Sequence, residues 1–98
     1  MIKHIVMWNL KDNAEGNDKE TNAMEIKKRL EALVGKIDGL ETLIVGRNVM
    51  DKGFDLCLVG EYRDKEALLF YREHPLHKEV QKFVHAVITE RVSCDFEF

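Results

Sequence analysis

"ETLIVGRNVMDKGFDLCLVGEY", residues 41–62, is the stretch whose reading decides the fold. Its two ends, "ETLIVGRNVM" and "FDLCLVGEY", are rich in the β-branched and aliphatic residues that suit a pleated, half-buried surface. Between them "DKG" supplies a turn with Gly53 at the bend. The pattern predicts a β-hairpin, and what flanks it sets the architecture.

Upstream, Ala23, Ile26, Leu30, Leu33, Val34 and Ile37 recur at three- and four-residue spacing, one apolar stripe of an amphipathic helix. Asn17 or Asp18 is its N-cap, and Gly39 suits the left-handed conformation that closes many helices. The polar "KDNAEGND" before it reads as a loop. Earlier still, "IKHIVMWNL" (2–10) places Ile2, His4, Val6, Trp8 and Leu10 on one face and Lys3, Ile5, Met7 and Asn9 on the other. Both faces carry apolar groups, which predicts a central strand.

Downstream of the hairpin, Asp64 is placed to cap "KEALLFYRE", whose inward face carries Ala67, Leu68 and Tyr71. A second helical stripe follows at Leu76, Val80, Phe83, Val84 and Val87. In the closing "TERVSCDFEF", Val92, Cys94, Phe96 and Phe98 alternate with Arg91, Ser93, Asp95 and Glu97, a strand with one wet face at a sheet edge.

The order is βαββαβ with an interrupted second helix, which predicts an α+β, ferredoxin-like sandwich: a four-stranded antiparallel sheet with its helices on one face, as one domain over residues 1–98. Ile5, Met7, Cys57 and Val59 then point to the uncovered face. So large an apolar patch is not left in water, so the chain is expected to meet a second copy of itself as a twofold homodimer of sheets. Cys57 and Cys94, without CxxC spacing, are read as small core residues rather than a disulfide.

Composition narrows the function. With 45% hydrophobic and 34% charged residues the chain is an ordinary globular one. Its net charge of −3, from 15 basic and 18 acidic residues, argues against a nucleic-acid partner. The one dense basic run, "EIKKRLE", falls on a helix among glutamates and reads as a solvated face. Apolar runs fall far short of the roughly 18 residues a membrane span needs. "MIKHIVMWNL" lacks a signal-peptide core, so a cytoplasmic location is expected. No GxSxG, Walker loop, dinucleotide fingerprint or HExxH pattern is present, and no cofactor is expected.

The chemistry concentrates in "FYREHPLHKE", residues 70–79. Pro75 pushes His74 out of helical geometry and takes the first position of a new helix. Counting from Leu76, His77 lies about 100° round the wheel, at the border of the apolar stripe, and His85 about 180° round, facing solvent. In the first turn of its helix, a half-buried His77 is held neutral, the state a general base requires. Tyr71 can reach the same space from across the break, with its phenol as acid. His4 shares a strand face with Trp8, and if that face meets the helices, His4, Tyr71 and His77 converge on one cavity. Tyr71 and His77 are therefore the candidate catalytic pair, and His4, Trp8 and His74 the candidate substrate-binding residues. The purely structural reading is a corner over a curved sheet, with hydrogen-bonded imidazoles. Zinc is a poor reading of "HPLH", because two ligands broken by a proline lack a second pair.

"IKHIVMWNLKD", "GRNV" and "HPLHKEVQKFVHAVITERVSCDFE" resemble the stress-responsive α/β-barrel (Dabb) domain family across essentially the whole chain. The resemblance implies a dimeric α+β barrel of ferredoxin-like subunits. One plant branch cyclises linear polyketides by an aldol-type step with a tyrosine and a histidine as acid and base. Those residues match Tyr71 and His77, its strand histidine matches His4, and Leu56 stands where it has a further histidine. The resemblance also implies a weak cation site on the backbone carbonyls of Val34, Ile37 and Leu40. The expected function is thus a homodimer binding a small carbonyl or aromatic metabolite, with Tyr/His acid–base chemistry of the lyase or cyclase kind. The alternatives are a non-catalytic stress-associated oligomer and a monooxygenase-like dimeric barrel.

Overall fold

A computed structural model describes all residues 1–98. Strand β1 (Ile2–Leu10) is followed by a two-residue hairpin, β2 (Asn13–Ala14) and β3 (Asn17–Asp18), and helix α1 (Lys19–Glu31). Then come β4 (Leu40–Arg47), β5 (Leu56–Tyr62), α2 (Lys65–Glu73), α3 (Pro75–Val87) and β6 (Ile88–Glu97). The main sheet is antiparallel throughout, in the order β4-β5-β1-β6. This is the expected ferredoxin-like arrangement, with β1 central and β6 at an edge.

The hairpin of residues 41–62 forms, but β4 stops at Arg47. Asn48 ends it: its amide donates to the carbonyls of Lys52 (2.9 Å) and Phe54 (2.7 Å) and accepts from the Met50 N–H (2.8 Å). Val49 and Met50, read as strand, are therefore loop residues and exposed. The "KDNAEGND" stretch is more ordered than a loop. Glu15 and Gly16 both take positive φ (53° and 78°), as a tight two-residue hairpin turn requires, and the Asn22 amide anchors the turn through the Ala14 carbonyl at 3.0 Å. Asp18 is the N-cap, accepting from the Thr21 N–H at 2.8 Å.

Helix α1 ends sooner than its apolar stripe. Leu33 and Ile37 are buried from a run of turns after Glu31, whereas Val34 points outward. Gly39 closes that run at φ 86° and lies against α2. One core of 20 buried residues fills the space between the sheet and the helices, joining Val6, Ile26, Val45, Leu58 and Val87 among its most enclosed members. Leu76, placed in the α3 stripe by periodicity, is 43% exposed instead. The stripe that packs is Val84 and Val87, with Val80 and Phe83 half-buried. At the start of α3 it is His77, not Leu76, that turns inward, against Tyr71.

The other sheet face is bare and apolar in lateral rows. Ile44, Val59, Ile5 and Cys94 form one, and Gly46, Cys57, Met7 and Val92 the next. The free cysteines thus sit on this open face rather than in the core. Ile44 is 63% exposed there.

Candidate active site

Pro75 builds the site. His74 adopts extended geometry (φ −65°, ψ 134°), ending α2 and capping α3. Its N–H donates to the Tyr71 carbonyl at 3.2 Å, and its Nδ1 accepts from the Leu76 N–H at 3.1 Å. The Phe70 ring packs edge-on against it. His74 is thus spent on the helix junction and does not line the cavity, so the structure does not bring it to the other proposed substrate-binding residues.

Between sheet and helices lies a cavity of about 420 Å³, with His4, Trp8, Tyr71 and His77 in its walls. Val6, Leu30, Leu58 and Val84 supply its apolar surface. Tyr71 is buried and His77 half-buried, their ring centroids 4.2 Å apart. His77 Nδ1 lies 3.3 Å from the Arg72 carbonyl. A carbonyl can only accept, so Nδ1 carries the proton and Nε2 keeps its lone pair. Burial pushes the His77 pKa down, opposed by that carbonyl and reinforced by His4, Arg91 and Arg72 nearby. Burial pushes Tyr71 up to about 12, so its phenol stays protonated.

His4 is buried, and its Nδ1 is hydrogen-bonded to Asp95 on β6. Tyr62 stands edge-on to His4 (5.9 Å) and tilted against Tyr71 (5.0 Å), linking both sides of the site through aromatic contact. Close packing of that ring over β5 depends on Gly60, where a Cβ would come within 3.0 Å of it. Trp8 is buried in the wall, and its indole N–H has no hydrogen-bond partner.

Asp95, Arg91, Tyr62 and the polar rim of Arg72 and Lys78 are site residues that the sequence alone does not single out. The alternation of β6 carries the signal, but it shows only that one face of the strand is polar, not what that face meets. In the sheet, Arg91, Ser93 and Asp95 pair with Trp8, Val6 and His4, which places the polar row on the cavity side. His85 is exposed as expected, at the rim of the cavity.

The Ile37 carbonyl accepts from the Leu40 N–H at 3.3 Å, and no group of three or more histidine, cysteine or acidic side chains that could hold a metal ion gathers in the structure, so a cation at Val34, Ile37 and Leu40 would rest on backbone carbonyls.

A ferredoxin-like α+β sandwich with a histidine and a tyrosine stacked under a broken helix defines the class. The model of the stress responsive A/B barrel domain matches residues 2–98, and the chain belongs to that family. It is similar to the Arabidopsis thaliana stress-response A/B barrel domain-containing protein At5g22580, 29% identical over 97% of this chain and 84% of that protein. A dimeric ferredoxin-like protein of unknown function from Bacteroides fragilis superposes with a TM-score of 0.88 at 28% identity, covering 99% and 95% of the two chains. At3g17210 of Arabidopsis thaliana gives a TM-score of 0.84 at 22% identity, over 99% and 94%.

Proposed function

We propose that the chain works as a homodimer, sheet face to sheet face, whose cavity binds a small carbonyl-bearing or aromatic metabolite and moves a proton within it. The dimer is supported by the apolar rows around Ile5, Met7 and Val59, and by the dimeric Bacteroides fragilis relative.

One observation carries the chemistry: His77 lines the cavity with its Nδ1–H tied to the Arg72 carbonyl, which leaves the lone pair on Nε2, and its ring stacks on a phenol that stays protonated. In such a site the C–H bond next to a bound carbonyl breaks, its proton passes to Nε2, and the electron pair moves to the carbonyl oxygen as an enolate. Tyr71 is the donor available to stabilise that oxygen. His4, oriented by Asp95, fixes the substrate from the sheet side.

Acetophenone in deuterated buffer tests the reading. It should perturb the His77 and Trp8 resonances, and its methyl group should take up deuterium faster with the protein than without it. His77→Gln should abolish that acceleration. Binding without acceleration would leave a binding protein without catalysis, and absence of binding would favour the non-catalytic stress-associated oligomer.

A further inference from the structure

The protein has five arginines, and their partners divide them. Arg29 is paired with Glu25 (2.8 Å), Arg47 with Glu20 (2.7 Å) and Arg63 with Asp38 (3.3 Å). Arg72 and Arg91 belong to none of the protein's ion pairs, and both line the cavity. The only side chain that Arg91 engages is Ser93, whose Oγ accepts at 3.3 Å. The carboxylates nearby are already taken: Glu73 by Lys78 at 3.0 Å, and Asp95 by His4. A protein of net charge −3 therefore gathers two guanidinium groups outside its ion pairs at one opening.

We infer that the cavity takes a carbonyl compound bearing a carboxylate, with Arg91 and Arg72 receiving the carboxylate. The inference rests on the proposed function and narrows its substrate class. Guanidinium recognises carboxylate by two parallel hydrogen bonds, which fixes the ligand's direction as well as its charge. The carboxylate end at Arg91 then leaves the carbonyl end for His77 and Tyr71. The opposite orientation would bring a negative charge against the Tyr71 ring and raise the barrier to forming an enolate beside it.

Trp8 is the single tryptophan, so its fluorescence reports the cavity alone. We would titrate the protein with 4-acetylbenzoate and with its neutral analogue 4-acetylbenzamide at pH 7.5 and low salt. The carboxylate should bind on the order of tenfold more tightly, the increment expected for a charge-assisted hydrogen bond. Arg91→Gln should cut that ratio below about threefold, Arg91→Lys should restore part of it, and salt should lower it. Arg91 is exposed, so the variant should fold as the parent does, checked by circular dichroism. Equal binding of the two compounds, or a preference that survives in Arg91→Gln, Arg72→Gln and the double variant, overturns the anion inference while leaving the cavity as a ketone site. Binding of neither compound overturns both.

Discussion

Tyr71 and His77 stack with their ring centroids 4.2 Å apart and their planes inclined by 34°, although Tyr71 belongs to α2 and His77 to α3. Six residues along an unbroken helix would leave them about 120° apart around the axis. The extended geometry of His74 ahead of Pro75 removes that separation, so the proline creates the site as well as the corner.

Burial holds His77 neutral, and the consequence for stability has a definite sign. The unfolded chain takes up a proton as pH falls through the ordinary imidazole value of 6.5, while folded His77 resists it. The contribution is fully present above 6.5 and is lost as pH falls through the lower folded value. NMR should show His77 titrating below 6.5, and His77→Gln should flatten the rise of urea stability as pH climbs toward 6.5. A folded His77 that titrates at or above the ordinary value contradicts the assignment.

Tyr71→Phe keeps the ring that packs on His77 and Tyr62 and removes only the phenol. Its unfolding free energy should change by less than about 1.5 kcal/mol, the scale of one hydrogen bond. Deuterium exchange into acetophenone should fall at least about tenfold if the phenol stabilises the enolate. Unchanged exchange would assign that task elsewhere.

Gly39 and Gly35 share the same φ of 86° but not the same surroundings. A Cβ on Gly39 would lie 2.5 Å from the Ala67 Cβ, whereas one on Gly35 meets nothing within 4 Å. Gly35→Ala should cost about 1–2 kcal/mol from the left-handed backbone alone, and Gly39→Ala about 1–3 kcal/mol more from the overlap with α2. Urea denaturation of the two variants side by side measures the difference, and equal losses would contradict the packing.

Asp95→Ala leaves the buried His4 Nδ1–H without its acceptor and should destabilise the fold by about 1–3 kcal/mol. Combining it with His4→Phe should cost less than the sum of the two single changes. Additive losses would mean that the two side chains do not interact.

Val59 sits in the middle of the bare face, beside Ile5 and Ile44. Val59→Glu should leave the secondary structure intact and shift the protein from dimer to monomer in sedimentation at micromolar concentration. An unchanged dimer would place the interface elsewhere.

Much of this molecule was legible in its residues, because strand and helix periods report which side chains share a face. The alternation of "IKHIVMWNL" put His4 and Trp8 together, the stripe of α2 turned Tyr71 inward, and Pro75 marked the break beside His77. Tertiary structure alone decided what those faces meet. The alternation of β6 separates Arg91, Ser93 and Asp95 from Val92, Cys94 and Phe96 but does not say which set looks toward the helices. That depends on register with β1, where His4 faces Asp95 and Trp8 faces Arg91, and a slip of one residue would exchange the two sets. No local pattern encodes the cavity either, because its walls come from β1, α1, β5, α2, α3 and β6, elements far apart in the chain.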